Sequence, residues 1–161
     1  MLKSLRSFFG SVIFWLGWPL YYVYLYKTQR TRLVIISGNK VLFVQNVFGA
    51  RKLTLPGGGV HQNEDPAQAA AREVREETGL DFKAETLVPI KLNHPVKETG
   101  FRYYVNSFSV SVPQPLNPRA QVSEILSANW LEWREQLSSG RVSKTTADIL
   151  QAWSNTEHLL D

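Results

Sequence analysis

The chain has no cysteine. Disulfide frameworks, thiolate zinc sites and cysteine nucleophiles are therefore excluded, while the redox compartment stays open. Histidine is scarce, at three residues, and neither His94 nor His158 has a partner at a metal-ligand spacing. No internal repeat or low-complexity stretch is present. Acidic residues are missing from the first 32 positions, which carry Lys3, Arg6, Lys27, Arg30 and Arg32. That absence explains the net charge of +4, because the remaining positions hold 13 basic against 14 acidic side chains. A nucleic-acid binder should carry its positive charge on the folded domain, so the distribution argues against that function. What remains is a chain of 161 residues, 43% hydrophobic and 20% charged, which suits one globular domain and rules out a disordered chain.

The basic N-terminus encloses 20 consecutive uncharged residues, Ser7 to Tyr26. As a helix they span roughly 30 Å, the hydrocarbon thickness of a bilayer. Phe8, Phe9, Phe14, Trp15, Trp18, Tyr21, Tyr22, Tyr24 and Tyr26 make the segment strongly aromatic, with four tyrosines beside Lys27 like an interfacial belt. No small-x-small site follows Leu20, which disfavours a cleaved signal peptide. Pro19 kinks a helix, so an interfacial helix or short re-entrant hairpin competes with a spanning one, as does a soluble helix packed on the domain. Membrane association is the reading, with a spanning hydrophobic helix favoured. Cations balance on its two sides, so charge does not orient it. The division is an anchor segment over 1–30 and a folded domain over 31–161.

Residues 33–36 and 41–44 are strand-like runs joined by a turn at 37–40. A short strand at 53–55 ends at Pro56 and three glycines. A helix is expected over 66–78: Asp65 is a good N-cap, Pro66 suits the first helical position, Gln68 completes a capping-box pattern and Gly79 supplies the stop. Residues 101–112 read as one long strand, 125–133 as another leading into a short helix, and Ser143 caps a final helix. Ile149, Leu150 and Trp153 share one face of that helix. The class is mixed α and β with a mixed sheet.

The chemistry lies between Gly57 and Leu80. On a helix Glu73, Glu76 and Glu77 share an arc of about 100°, and Ala67, Ala70, Ala71 and Val74 form the adjoining face. Carboxylates at i and i+4 repel by a few tenths of a kcal/mol, which a divalent cation relieves. Oxygen ligands without histidine or cysteine point to Mg2+, with Mn2+ as the other candidate. Gly57, Gly58 and Gly59 let backbone amides approach an anion, and Glu64 follows before the helix. A phosphate-bearing substrate fits this pairing.

The stretch Gly58-x5-Glu64-x7-Arg72-Glu73-Val74-x-Glu76-Glu77-x-Gly79-Leu80 resembles a complete Nudix box, covering 23 residues without a gap. The resemblance implies an α/β/α sandwich and hydrolysis of a nucleoside diphosphate linked to another moiety. Carried over by position, it makes Glu73, Glu76 and Glu77 metal ligands with Glu64 close by. Arg72 orients a box carboxylate, and Gly57, Gly58 and Gly59 meet metal or phosphate. The general base in such families is a box glutamate (Glu76 or Glu77 here) or an acid from a later loop. Outside the box Glu124 is favoured over Glu98, and ordinary surface acids are the plain alternative for both. Arg51 and Lys52 are candidate phosphate contacts, or solvated charges. His61 reads as a loop residue.

Features outside the box separate substrate classes weakly. The proline-rich signature of NADH-cleaving members and the coenzyme A signature are absent. Pro95, 16 residues after Gly79, resembles ADP-ribose-cleaving members, whereas the compact domain equally resembles MutT-like members acting on nucleoside triphosphates. A lipid-linked diphosphate is a further candidate. The intact acidic cluster argues against a catalytically silent nucleotide sensor and against a merely structural membrane partner. Nucleotides and Mg2+ are cytosolic, so the domain is expected to face the cytoplasm.

Overall fold

The computed structural model describes residues 29–46, 52–92, 97–98, 101–102, 104–119 and 125–157. The expected anchor therefore lies outside the described residues. Among the described residues, no helix is long and apolar enough to cross a membrane.

Strand β1 (Gln29–Ser37) turns tightly into β2 (Lys40–Asn46), pairing Ile36 with Val41 and Ser37 with Lys40. The two strands then diverge, and β3 (Leu53–Thr54) pairs with Val44 and Gln45 of β2 in the opening. After the glycine loop comes α1 (Pro66–Thr78), then a single 3-10 turn and the edge strand β4 (Val88–Ile90). A separate hairpin joins β5 (Lys97–Glu98) to β6 (Phe101–Arg102). Strand β7 (Tyr104–Ser111) lies parallel to β1 along eight residues and antiparallel to β4. The chain closes with β8 (Ile125–Glu132) on β2, then α2 (Trp133–Ser138) and α3 (Lys144–Glu157). The main sheet is mixed, in the order β3-β2-β1-β7-β4 with β8 beside β2.

Strand periodicity sends alternate residues to two cores. Leu33, Ile35 and Leu42 pack with Ala70 and Val74 of α1. Val34, Ile36, Val41 and Phe43 pack with Ile149, Leu150 and Trp153 of α3 and Trp133 of α2. The sheet therefore lies between α1 and the C-terminal helices, the expected three layers. Trp133 and Trp153 meet edge to face at 5.6 Å.

The expected long strand over 101–112 is instead two elements. Its aromatic and β-branched residues report strand propensity, but 101–102 pair with β5 while 104–111 pair with β1 and β4. Trp133 starts a helix rather than ending a strand. Strand β1 also begins at Gln29, ahead of its apolar run.

Candidate metal and diphosphate site

Helix α1 begins as its sequence dictates. Asp65 stays extended, and its Oδ1 accepts from the N–H groups of Ala67 at 2.9 Å and Gln68 at 3.2 Å. Gly79 adopts the left-handed conformation and donates to Arg75 O at 2.9 Å, ending the helix. Between these caps the acidic arc faces the glycine loop. Ala69 lies within the same arc and is fully buried there. The periodic reading overlooked it, because it lies among the carboxylates and outside the alanine face.

The loop behaves as a further strand beside β1. Leu33 N–H donates to Pro56 O at 3.0 Å, Thr31 N–H to Gly58 O at 2.9 Å, and Val60 N–H to Gln29 O at 2.9 Å. Two glycines are required by space. A Cβ on Gly58 would fall 2.8 Å from Glu73 Oε1 and closer still to Oε2. Gly57 has φ of +133°, and a Cβ there would collide with the Thr31 carbonyl. Glu73 and the loop backbone can therefore meet only through glycine.

Arg72 ties the loop to the helix. Its Nε and Nη2 donate to the two oxygens of Glu64 at 2.8 and 3.0 Å, a bidentate ion pair. Nη2 also donates to Gly59 O at 2.9 Å, and Nη1 donates to Glu73 Oε1 at 2.9 Å and Glu76 Oε2 at 3.2 Å. Glu64 additionally accepts from His61 N–H at 2.8 Å. The Arg72 hydrogen bonds hold the Glu64 carboxyl down at about 2, from an ordinary 4.5, against a smaller opposing effect of burial. Arg72 is in turn pushed further above its usual range, first by Glu64 and then by Glu73.

Glu77 is the most enclosed of the carboxylates, 9% exposed, and its Oε2 accepts from Gly57 N–H at 2.9 Å. Glu76 is the most open, with half its side chain exposed. The Gly57 carbonyl accepts from Arg32 Nη1. Sequence reasoning missed Arg32. A single arginine ahead of an apolar run is weak local signal for a contact 25 residues away.

The structure thus brings together Gly57, Gly58, Gly59, Glu64, Arg72, Glu73, Glu76 and Glu77. Arg51 and Glu124 lie outside the described residues, as do Pro95, His94 and His158. Glu98 is on β5 in the separate hairpin. Lys52 is exposed just before β3. His61 is an exposed loop residue, its Nδ1 3.7 Å from Glu64. Among the described residues no three carboxylates close around one point, and the Arg72 guanidinium bridges Glu73 and Glu76. The donors nevertheless suit a hard divalent cation. They are all oxygens, three carboxylates share the one Arg72 guanidinium, and Gly58 leaves the Glu73 carboxylate room against the backbone.

Comparison with known proteins places this geometry in a family. The NUDIX domain model matches residues 27–152. Nudix hydrolase 2 of Arabidopsis thaliana is 30% identical over 136 residues, 77% of this chain and 48% of that protein. Diphosphoinositol polyphosphate phosphohydrolase 2 of Rattus norvegicus is 31% identical over 103 residues, 64% of this chain and 47% of its own length. The chain thus spans about half the length of these curated relatives. Among solved structures, a bifunctional NMN adenylyltransferase/ADP ribose pyrophosphatase from Francisella tularensis, complexed with AMP and a Mn ion, superposes with a TM-score of 0.71. That superposition covers 96% of this chain and 48% of the other at 18% identity, a likeness of fold. With the box intact on α1 and the family model spanning the described sheet and most of α3, this chain belongs to the Nudix family.

Proposed function

We propose that this chain is a divalent-cation-dependent hydrolase that cleaves the phosphoanhydride bond of a nucleoside diphosphate linked to another moiety. The observation that carries the reading is the meeting of the α1 carboxylates with the glycine loop: Glu77 bound to Gly57 N–H, and Glu73 against Gly58.

Glu73, Glu76 and Glu77, with Glu64 close by, are the residues that would hold Mg2+ or Mn2+. Such a cation supplies neutralising charge for a diphosphate. Arg72 keeps Glu64, Glu73 and Glu76 on one side of the helix and fastens them to Gly59. The bare backbone of Gly57, Gly58 and Gly59 lets a phosphate approach, and Arg51 is a further phosphate contact. Water adds to phosphorus, the bridging P–O bond breaks, and the proton of the water passes to a carboxylate. Glu76, half exposed, is the box candidate for that base; Glu124 is the candidate outside it.

The substrate is ADP-ribose, a nucleotide sugar or a nucleoside triphosphate, a choice supported by the diphosphate shared among the relatives' named substrates. Residues 7–26 tether the domain to a membrane, supported by 20 uncharged residues between cationic flanks, and the domain faces the cytoplasm, where nucleotides and Mg2+ are found. The competing reading is a tethered sensor that binds nucleotide without turnover. The bridging of Glu73 and Glu76 by Arg72 is the observation that favours it.

The test is incubation of the full chain with Mg2+ and ADP-ribose, nucleotide sugars, nucleoside triphosphates and dinucleoside polyphosphates, with products separated and identified. Cleavage of one class, abolished by chelator, is expected. Ligand binding without any turnover would replace the hydrolase by the sensor.

A further inference from the structure

The glycine loop runs antiparallel to β1, so each step along β1 marks a depth in the site. Val60 N–H donates to Gln29 O at 2.9 Å, Arg30 pairs with Gly59, and Thr31 N–H donates to Gly58 O at 2.9 Å. Arg32 reaches the carbonyl of Gly57. Helix α1 follows the same ladder: Arg72 binds Gly59, Glu73 lies against Gly58, and Glu77 accepts from Gly57. Gln29 and Arg32 are three strand residues apart, about 10 Å. The loop and its carboxylates therefore gather at the end of the domain where β1 begins.

That end is also where the uncharged run meets the domain. Only Lys27 and Thr28 separate Tyr26 from Gln29. Three residues reach at most about 11 Å, so a bilayer that holds residues 7–26 leaves the start of β1 no slack to move away. A headgroup layer is itself about 5–7 Å deep on each side of the hydrocarbon. Tyr104 stands at the same end, paired in register with Gln29 and 72% exposed. An aromatic ring with a polar tip suits the headgroup level.

We propose that the glycine-loop end of the domain rests against the headgroup layer, and that the site there also takes a nucleoside diphosphate whose second moiety is a lipid of the same bilayer. The inference rests on the tether and hydrolase readings above. Such a lipid carries its diphosphate at the height of the loop, so the two meet with the acyl chains still in the membrane. The hydroxyl of the attacking water ends on one phosphorus, the bridging oxygen leaves with the other, and the remaining proton passes to a carboxylate. The nucleoside monophosphate enters solution and the lipid phosphate stays in the bilayer.

The absence of cysteine supplies the test. Gln62→Cys labels the loop end and Asn39→Cys the far end of β1, both at exposed positions. Each full-length protein carries one fluorophore and is bound to phosphatidylcholine vesicles containing a lipid with a nitroxide headgroup. With about 26 Å of strand between the two ends, the Gln62 label is expected to be quenched at least about threefold more strongly. Equal quenching of the two labels overturns the proposed membrane face. Vesicles carrying CDP-diacylglycerol are then offered to the wild type and to a chain with a flexible Gly/Ser linker of about 20 residues inserted before Gln29, which adds a reach of about 25 Å. Wild type is expected to release CMP, and the linker to slow that release at least about fivefold while cleavage of the best soluble nucleotide stays within about twofold. Cleavage of a soluble nucleotide without CMP release overturns the lipid activity, and so does CMP release that the linker leaves unchanged. Two further results are separate. Failure of the full chain to float with vesicles overturns the tether, and failure to cleave any nucleotide overturns the hydrolase.

Discussion

Both oxygens of Glu64 accept from Arg72, and one of them also from the His61 N–H, so this carboxylate ties the loop to the helix. Its folded-state pKa of about 2 lies below the ordinary 4.5. A depressed carboxyl contributes stability that is fully present above the unfolded value and is lost as pH falls through the folded one. Thermal melts of the metal-free protein are therefore expected to show the wild type losing stability between about pH 5 and pH 2 more steeply than Glu64→Gln, which lacks the group. Parallel pH profiles for the two proteins would contradict the ion pair. Gly58 makes a second prediction at this scale. A methyl group there meets the Glu73 carboxylate, so Gly58→Ala must displace a metal-site side chain or the loop itself. Metal affinity and turnover are expected to fall at least about tenfold while the helix survives by circular dichroism, since an outer change at a metal site commonly costs that much. Turnover at the wild-type rate would show that the close approach is unimportant.

Helix α1 was legible almost to the residue, because its signals are local. Asp65, Pro66 and Gly79 act within a few positions of themselves, and the acidic arc follows from helical geometry alone. Asp65→Ala is expected to cost about 1 kcal/mol through loss of two N-terminal hydrogen bonds, seen as a melting temperature lower by about 2–4 °C. Elements whose existence depends on distant partners were harder to read. Strand β4 contains Pro89, normally a mark against a strand, and persists as an edge because β7 offers it a partner. The division of residues 101–111 between two sheets is likewise decided by pairing, which composition does not encode. Ala69 and Arg32 belong with these cases. One is buried among the carboxylates, outside the alanine face, and the other reaches a carbonyl 25 residues away.

Across the whole molecule, alternate residues of β1 and β2 face two helical layers, and the glycine loop runs along the edge where β1 leaves β2. The loop is thus fixed by strand-like bonds on one side, while the acidic helix closes on it from the other. Nearly neutral beyond residue 32, the domain brings four glutamates together at this junction, a grouping that suits a divalent cation. The proposed hydrolysis of a phosphoanhydride with a bound cation takes place at this junction, and Glu77 is the carboxylate on which loop and helix converge. The most direct measurement is the Mg2+-dependent cleavage rate of the preferred nucleotide by wild type and by Glu77→Gln, a change that keeps side-chain shape and a hydrogen-bond acceptor. A folded variant slowed by at least about a hundredfold is expected, with wild type equally silent when chelator removes the cation. A variant that turns over within a few-fold of wild type, or cleavage unaffected by chelator, would contradict it.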